Sequence, residues 1–453
     1  MQSIDPTTGR KIKSYREFSN KEINHALEEA QSAFEDWSKL SFDQRAEKIK
    51  AVAGILRNNK ENYARLMAIE MGKPVVQGQN EIDKCAWICD FYAQEAKNYL
   101  APQMIETQAR KSFVSFQPLG IILAVMPWNF PFWQVFRCAA PTLMAGNAVI
   151  LKHASNVCGC ALAIEDVFKK AGLPAGLFKT LLVSSKKVER LIQHPLIQAV
   201  TLTGSTGAGQ AIASQAGAVI KKTVLELGGS DPYIILEDAD LMKAVEVCAA
   251  SRLINGGQSC VAAKRFIVVN SRLKEFERCF VEKMRAVRMG SPLEEETTLG
   301  PLARHDLRDG IRDQVQKSIT KGARLLLGGE IPDGKGAFYP PTVLTNVRKN
   351  TPAYDEELFG PVASIIGVSG EDEAIQVAND TMFGLGAAIF TQDLKRAEDI
   401  ATYQLQAGCC FVNDSVKSDP RLPFGGVKQS GYGRELSSFG IHEFVNIKTV
   451  YIA

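Results

Sequence analysis

The chain is poor in the residues that build metal centres. Its five histidines, His25, His153, His194, His305 and His442, form no close pair, and Cys158-Gly-Cys160 has no second half, so zinc and iron–sulfur spacings are missing. Ten cysteines scattered over 453 residues are too sparse for a disulfide scaffold and point to reduced thiols in a cytosol. No apolar run approaches the roughly 18 residues of a membrane span. The first ten residues, with Asp5, Pro6 and Gly9, lack the apolar core of a secretory signal. Neither sign of charge dominates: 53 basic and 50 acidic residues leave +3 with no basic block, which argues against a nucleic-acid stripe or polybasic membrane patch. No Gly-x-Ser-x-Gly elbow supports a serine hydrolase, and no short repeat, low-complexity tract or linker is visible. What remains is ordinary globular usage, 45% hydrophobic and 23% charged, which excludes disorder. The length suggests about three lobes. The expectation is a cytoplasmic protein without nucleic-acid or membrane partners.

Periodicity gives the organisation. Residues 21–40 and 42–71 carry apolar side chains at three- and four-residue intervals and read as helices. Cys85 and Cys89, four apart, share one helix face and read as buried small apolar residues. From Gly120 the pattern changes to short apolar runs at 120–126, 148–151, 178–183, 199–203 and 223–227. Helical segments separate them at 133–143, 160–170, 187–193 and 207–216. Apolar strands alternating with helices predict a doubly wound parallel α/β sheet, whose ligands bind beyond the carboxyl ends of the strands. A second strand–helix series begins at 233–236 and 266–269. Residues 105–117 and 444–452 resemble isolated strands, available for pairing with another element or another subunit.

Four places can carry chemistry. Cys260 follows Asn255-Gly-Gly-Gln-Ser259, read as a flexible polar loop that gives a thiol access and a lowered pKa; the alternative is a buried structural thiol. Glu226 interrupts an apolar strand ahead of Gly228-Gly229 and is either paired to a base or held as a catalytic acid/base. Asn129, in Pro127-Trp-Asn-Phe-Pro131, follows the first strand of the series as a turn former or an amide donor to an oxyanion. Gly204-Ser-Thr-Gly-Ala-Gly209 lies between strand and helix, where backbone amides can hold a pyrophosphate, although its spacing is not the ordinary dinucleotide one.

Taken together, these segments resemble the aldehyde dehydrogenase superfamily over essentially the whole chain. The markers are Pro127-Trp-Asn-Phe-Pro131, Gly146-Asn-Ala-Val-Ile-Leu-Lys152, Thr203-Gly-Ser205, Leu225-Glu-Leu-Gly-Gly229, Gly257-Gln-Ser-Cys260, Glu357-Leu-Phe-Gly-Pro-Val362 and Pro423-Phe-Gly-Gly-Val-Lys428. Leu151-Lys-His-Ala154, Leu225-Glu-Leu-Gly-Gly-Ser-Asp-Pro232 and Ala262-Ala-Lys-Arg-Phe266 are most similar to bacterial short-form succinate semialdehyde dehydrogenases. The resemblance implies two doubly wound α/β domains and a small β oligomerisation element. Residues 1–104 and 120–225 would bind cofactor, 226–430 would be catalytic, and 105–119 with 431–453 would assemble a homodimer or homotetramer.

The resemblance also implies roles. Cys260 would be the nucleophile and Glu226 the general base, with Asn129 and the Cys260 N–H as the oxyanion hole. Trp128, Lys152, Ser155, Gly204, Ser205, Glu357 and Phe359 would bind NAD or NADP: Lys152 and Ser155 at the adenosine ribose, Ser205 at the pyrophosphate, Glu357 and Phe359 at the nicotinamide end. Arg137 matches a carboxylate-binding arginine of the family, and Arg421 precedes a segment bordering the active site. Three departures stand out. Ser155 replaces a glutamate common in NAD-specific relatives, so NADP is permitted. Ile254 replaces an arginine six positions before the nucleophile, and Ala262 replaces the second cysteine of a redox switch. The implied reaction is oxidation of succinate semialdehyde to succinate through a cysteine thiohemiacetal and thioester. Alternatives are the same chemistry on glutarate semialdehyde or an uncharged aliphatic aldehyde, a CoA-acylating enzyme, which Glu226 argues against, and a non-catalytic binding or structural protein on this fold.

Overall fold

A computed structural model describes all residues 1–453. Its first sheet has six strands, in the order Gly431–Tyr432, Lys222–Glu226, Ile197–Thr203, Ile121–Met126, Ala148–His153 and Phe178–Thr180. All are parallel except Gly431–Tyr432. The central strands are buried on both faces, as their continuous apolar runs require. Ile121 and Leu123 enter the large core beneath the helices Asn20–Trp37, Trp133–Met144 and Cys158–Lys170, while Ile122, Ala199 and Val224 meet Phe444 on the other side. The second sheet has seven strands, in the order Arg324–Leu327, Thr342–Thr345, Val362–Val368, Arg265–Val269, Pro232–Ile235, Gly386–Phe390 and Cys409–Val412; only the first is antiparallel. This is the doubly wound α/β class read from the sequence.

The third sheet pairs Val445–Ile452 antiparallel with Lys111–Pro118 over eight residues, and Gln103–Met104 with the same strand. Thus residues 103–104 join the small sheet and residues 431–432 join the first one. No helix is long and apolar enough to cross a membrane.

Three local readings change. The stretch 42–71 is two helices, Phe42–Asn58 and Lys60–Met71, because the Asn59 amide donates to the Ile55 carbonyl at 2.9 Å and its backbone leaves helical geometry. The run at 178–183 is a strand only to Thr180, at the edge of its sheet. The segment 255–259 is a locked, buried turn rather than a flexible loop. Cys85 and Cys89 are buried on the helix Val75–Tyr99, as their spacing implied.

Candidate active site

The turn that carries Cys260 is built from carboxamides and left-handed backbone. Asn255, Gly256 and Gly257 have φ of 52°, 63° and 75°, a region that asparagine and glycine tolerate best. The Asn255 amide donates to the carbonyls of Asn129 at 2.7 Å and Gln258 at 3.1 Å, and the Asn129 amide donates to the same Gln258 carbonyl at 3.0 Å. Two motifs far apart in sequence are thereby tied through one carbonyl. Below them, the buried Lys264 ammonium donates to the carbonyls of Ser259, Cys260 and Ala262 at 3.1, 2.8 and 3.2 Å. It also lies 3.6 Å from a Glu357 oxygen.

The turn presents a half-buried Cys260 to a cavity of about 700 Å³, and no other cysteine lines it. The Cys260 N–H donates to no backbone or side-chain group, and the Asn129 amide keeps its second N–H free. Two donors are therefore available near the thiol. Its proton affinity runs against the sequence expectation. Burial pushes the Cys260 thiol up to about 12, although Arg137 and Lys264 pull it down. A loop position did not lower this pKa, because the turn is desolvated.

Glu226 closes the strand Lys222–Glu226, where its carbonyl accepts from the Gly204 N–H at 2.9 Å. Its side chain is buried, and both carboxylate oxygens lack a partner. Burial holds the carboxyl well above the usual range; Glu435 adds to the rise, while Arg137 and Arg434 oppose it. Of the two readings open from sequence, this environment lacks the base that a purely structural carboxylate would need. The approach of Gly425 is close enough that a Cβ there would stand 2.9 Å from Glu226 Oε1.

On the first sheet's side lie the remaining predicted residues. Lys152 is the penultimate residue of the strand Ala148–His153, half-buried and with no carboxylate acting on it; burial lowers its pKa. Ser155 is exposed just beyond. Gly204 leads into Ser205, whose hydroxyl caps the helix Thr206–Ala218 by accepting from the Ala208 N–H at 3.3 Å. Glu357 accepts from the Gly229 N–H at 3.0 Å. The rings of Trp128 and Phe359 meet edge to face with centroids 5.8 Å apart.

A family model for the aldehyde dehydrogenase family matches residues 1–450. The chain belongs to the aldehyde dehydrogenase family. A probable NADP-dependent succinate-semialdehyde dehydrogenase of Synechocystis is 49% identical over 451 residues, covering 100% of this aldehyde dehydrogenase and 99% of the relative. An NAD(P)-dependent succinate semialdehyde dehydrogenase of Escherichia coli is 47% identical over 449 residues, covering 99% and 97%. Among solved structures, succinic semialdehyde dehydrogenase from Streptococcus pyogenes in complex with NADP superposes with a TM-score of 0.97 at 39% identity, covering 100% of this chain and 99% of that one.

In this aldehyde dehydrogenase the two predicted substrate arginines part company. Arg137 lines the cavity, but its guanidinium is paired with Glu435 and donates to Thr203 Oγ1 at 3.3 Å. Arg421 does not line the cavity; it is exposed, bonded to Asp419 at 2.6 Å and stacked on Trp87. Ile254, where an arginine was missing, does line it. The sequence reading missed the part played by Asn255, Gln258 and Lys264, which hold the Cys260 turn. The one local signal was Lys264-Arg265, two adjacent cations opening an apolar strand.

Proposed function

We propose that this aldehyde dehydrogenase oxidises succinate semialdehyde to succinate, with NADP or NAD as acceptor. The observation that carries the substrate is the charge of the cavity wall. Lys84, Arg137, Lys283 and Lys417 line it against a single acid, Glu81. That acid is already engaged by Lys73 and by the N–H groups of Phe132 and Trp133 at 2.9 Å. A carboxylate entering such a cavity is compensated, whereas an uncharged chain gains nothing from it.

In the proposed mechanism, Cys260 Sγ adds to the aldehyde carbon, and the free N–H groups of Cys260 and Asn129 receive the oxyanion. The thiol proton leaves to solvent, and Glu226, unpartnered and with raised proton affinity, takes a proton from the water that hydrolyses the Cys260 thioester, which frees Cys260 and the carboxylic acid. The nicotinamide cofactor, when bound, supplies the oxidation by accepting the substrate's hydride. Trp128, Gly204, Ser205, Glu357 and Phe359 would hold it, and the donor set at Lys152 and Ser155, without a nearby acid, fits a 2′-phosphate while leaving NAD usable. We assign cofactor binding to residues 1–104 and 120–225, catalysis to 226–430, and homo-oligomer assembly, in a dimer or tetramer, to 105–119 with 431–453, with the strand Gln103–Met104 moved to the small sheet and Gly431–Tyr432 to the first. Met104, Ile447, Tyr451 and Ile452 are large exposed apolar side chains on that small sheet and support the last assignment. Ten free cysteines support a cytoplasmic setting.

The test is kcat/KM for succinate semialdehyde, glutarate semialdehyde and butanal with each cofactor, with and without CoA. Succinate semialdehyde should lead, without a CoA requirement, and Cys260→Ala should abolish turnover while still binding cofactor. A preference for butanal, or turnover by folded Cys260→Ala, overturns the proposal.

A further inference from the structure

Of the four cations lining the cavity, three already have carboxylate partners. Arg137 is paired with Glu435, Lys283 lies 4.0 Å from Glu246, and Lys417 lies 2.6 Å from Asp414. Lys84 differs. It projects from the helix Val75–Tyr99 with its ammonium 2.8 Å from Ser418 Oγ and 4.3 Å from the centroid of the Trp133 ring. An ammonium has three donors, of which this one uses a single N–H on a neutral hydroxyl. The aromatic face stabilises the cation while leaving it without a counterion. Asp419 is the acid outside its helix that acts on it, and Arg421 holds that acid in a two-pronged contact at 2.9 and 2.6 Å. Asp419 thus has Arg421 as its hydrogen-bonded partner and reaches Lys84 only through the longer-range charge interaction.

We infer that Lys84, with Ser418 beside it, receives the far carboxylate of the substrate while its carbonyl end meets Cys260, and so determines specificity for aldehyde acids. The inference rests on the proposed oxidation of succinate semialdehyde and locates its charge recognition. Lys84 supplies the cation that Ile254 lacks, and Arg137 serves mainly as the counterion of Glu435. The assignment has a pH signature. Burial and the neighbouring Arg137 lower the Lys84 pKa to about 8, with Cys85, Asp419 and Glu81 opposing. A carboxylate binds the protonated form, so KM for succinate semialdehyde should rise as pH passes through about 8. KM for butanal should not follow it.

The experiment compares wild type, Lys84→Met and Lys84→Arg in the full-length enzyme, using succinate semialdehyde and butanal across pH. Removing a buried charge partner should lower kcat/KM for succinate semialdehyde by roughly 30-fold or more, mainly through KM. The loss with butanal should be smaller by about an order of magnitude on the same scale. Lys84→Arg should keep the preference and move the alkaline rise in KM to higher pH, a result that does not depend on Lys84→Met folding. Equal losses on both substrates, or an unmoved pH profile in Lys84→Arg, would overturn the role of Lys84. A wild-type enzyme without preference for succinate semialdehyde would instead overturn the underlying function.

Discussion

Two buried groups, Cys260 and Glu226, both favour their neutral forms, and this sets the pH response of the chemistry. Desolvation raises each, so near neutral pH the thiol is held protonated and the proton affinity of the carboxyl is increased. The base form of Glu226 grows as pH rises, so kcat with butanal should climb on the alkaline side, opposite to the trend expected for succinate semialdehyde affinity. Glu226→Gln should leave formation of the first equivalent of reduced cofactor faster than later turnover, giving a burst in stopped-flow absorbance. Unchanged steady-state rates would remove Glu226 from the mechanism. At the ribose end, Ser155→Glu would place a carboxylate beside Lys152 and raise KM for NADP by about tenfold or more, through repulsion of the 2′-phosphate. KM for NAD should move far less; equal changes would show that Ser155 does not face that phosphate.

At the scale of elements, the turn that carries Cys260 is the part least tolerant of change. Gly257 has φ 75°, and a Cβ there would lie 2.1 Å from the Gly360 carbonyl oxygen. Gly257→Ala should therefore cost about 1–3 kcal/mol and displace Cys260, seen as a lower melting temperature and a loss of kcat. Gly310→Ala, in the helix His305–Thr320 with open space around it, should be neutral or slightly stabilising. If the two variants behave alike, the turn is not under this constraint. The same turn shows where sequence reading stops. The strands around 121–126, 148–153 and 197–203 were legible because apolar runs between helices have one economical arrangement, a parallel sheet covered on both sides. Glu226 and Asn129 were legible because each ends or follows such a strand, and Cys260 because it stands after a polar segment and just ahead of the next strand. The rigidity of 255–259 was not: Asn255-Gly-Gly-Gln-Ser is polar, and polarity reads as solvent exposure unless the partner carbonyls are known. The pairing of Arg137 with Glu435 was hidden for the same reason, since it joins a helix near the start of the first sheet to a turn almost 300 residues later.

Across the whole molecule, the proposed catalytic triplet belongs to neither sheet alone. Asn129 follows a first-sheet strand, Glu226 ends another, and Cys260 stands just before the second-sheet strand Arg265–Val269. The hydrogen bonds that align them, Asn129 to Gln258 at 3.0 Å and Asn255 to Asn129 at 2.7 Å, are few, whereas each sheet is packed in large apolar clusters, of which only Ala303, Leu385 and Phe424 carry the first across to the second half. Turnover is thus a gauge of how the two halves are seated, and it should fail before either half melts. In a urea titration the activity midpoint should fall below the midpoint of far-UV circular dichroism, and saturating NADP should narrow the interval by binding the aligned state. Coincident midpoints without cofactor would mean that the halves unfold as one. If the interval is real, dilute denaturant becomes a selective inhibitor, silencing a protein that remains almost entirely folded.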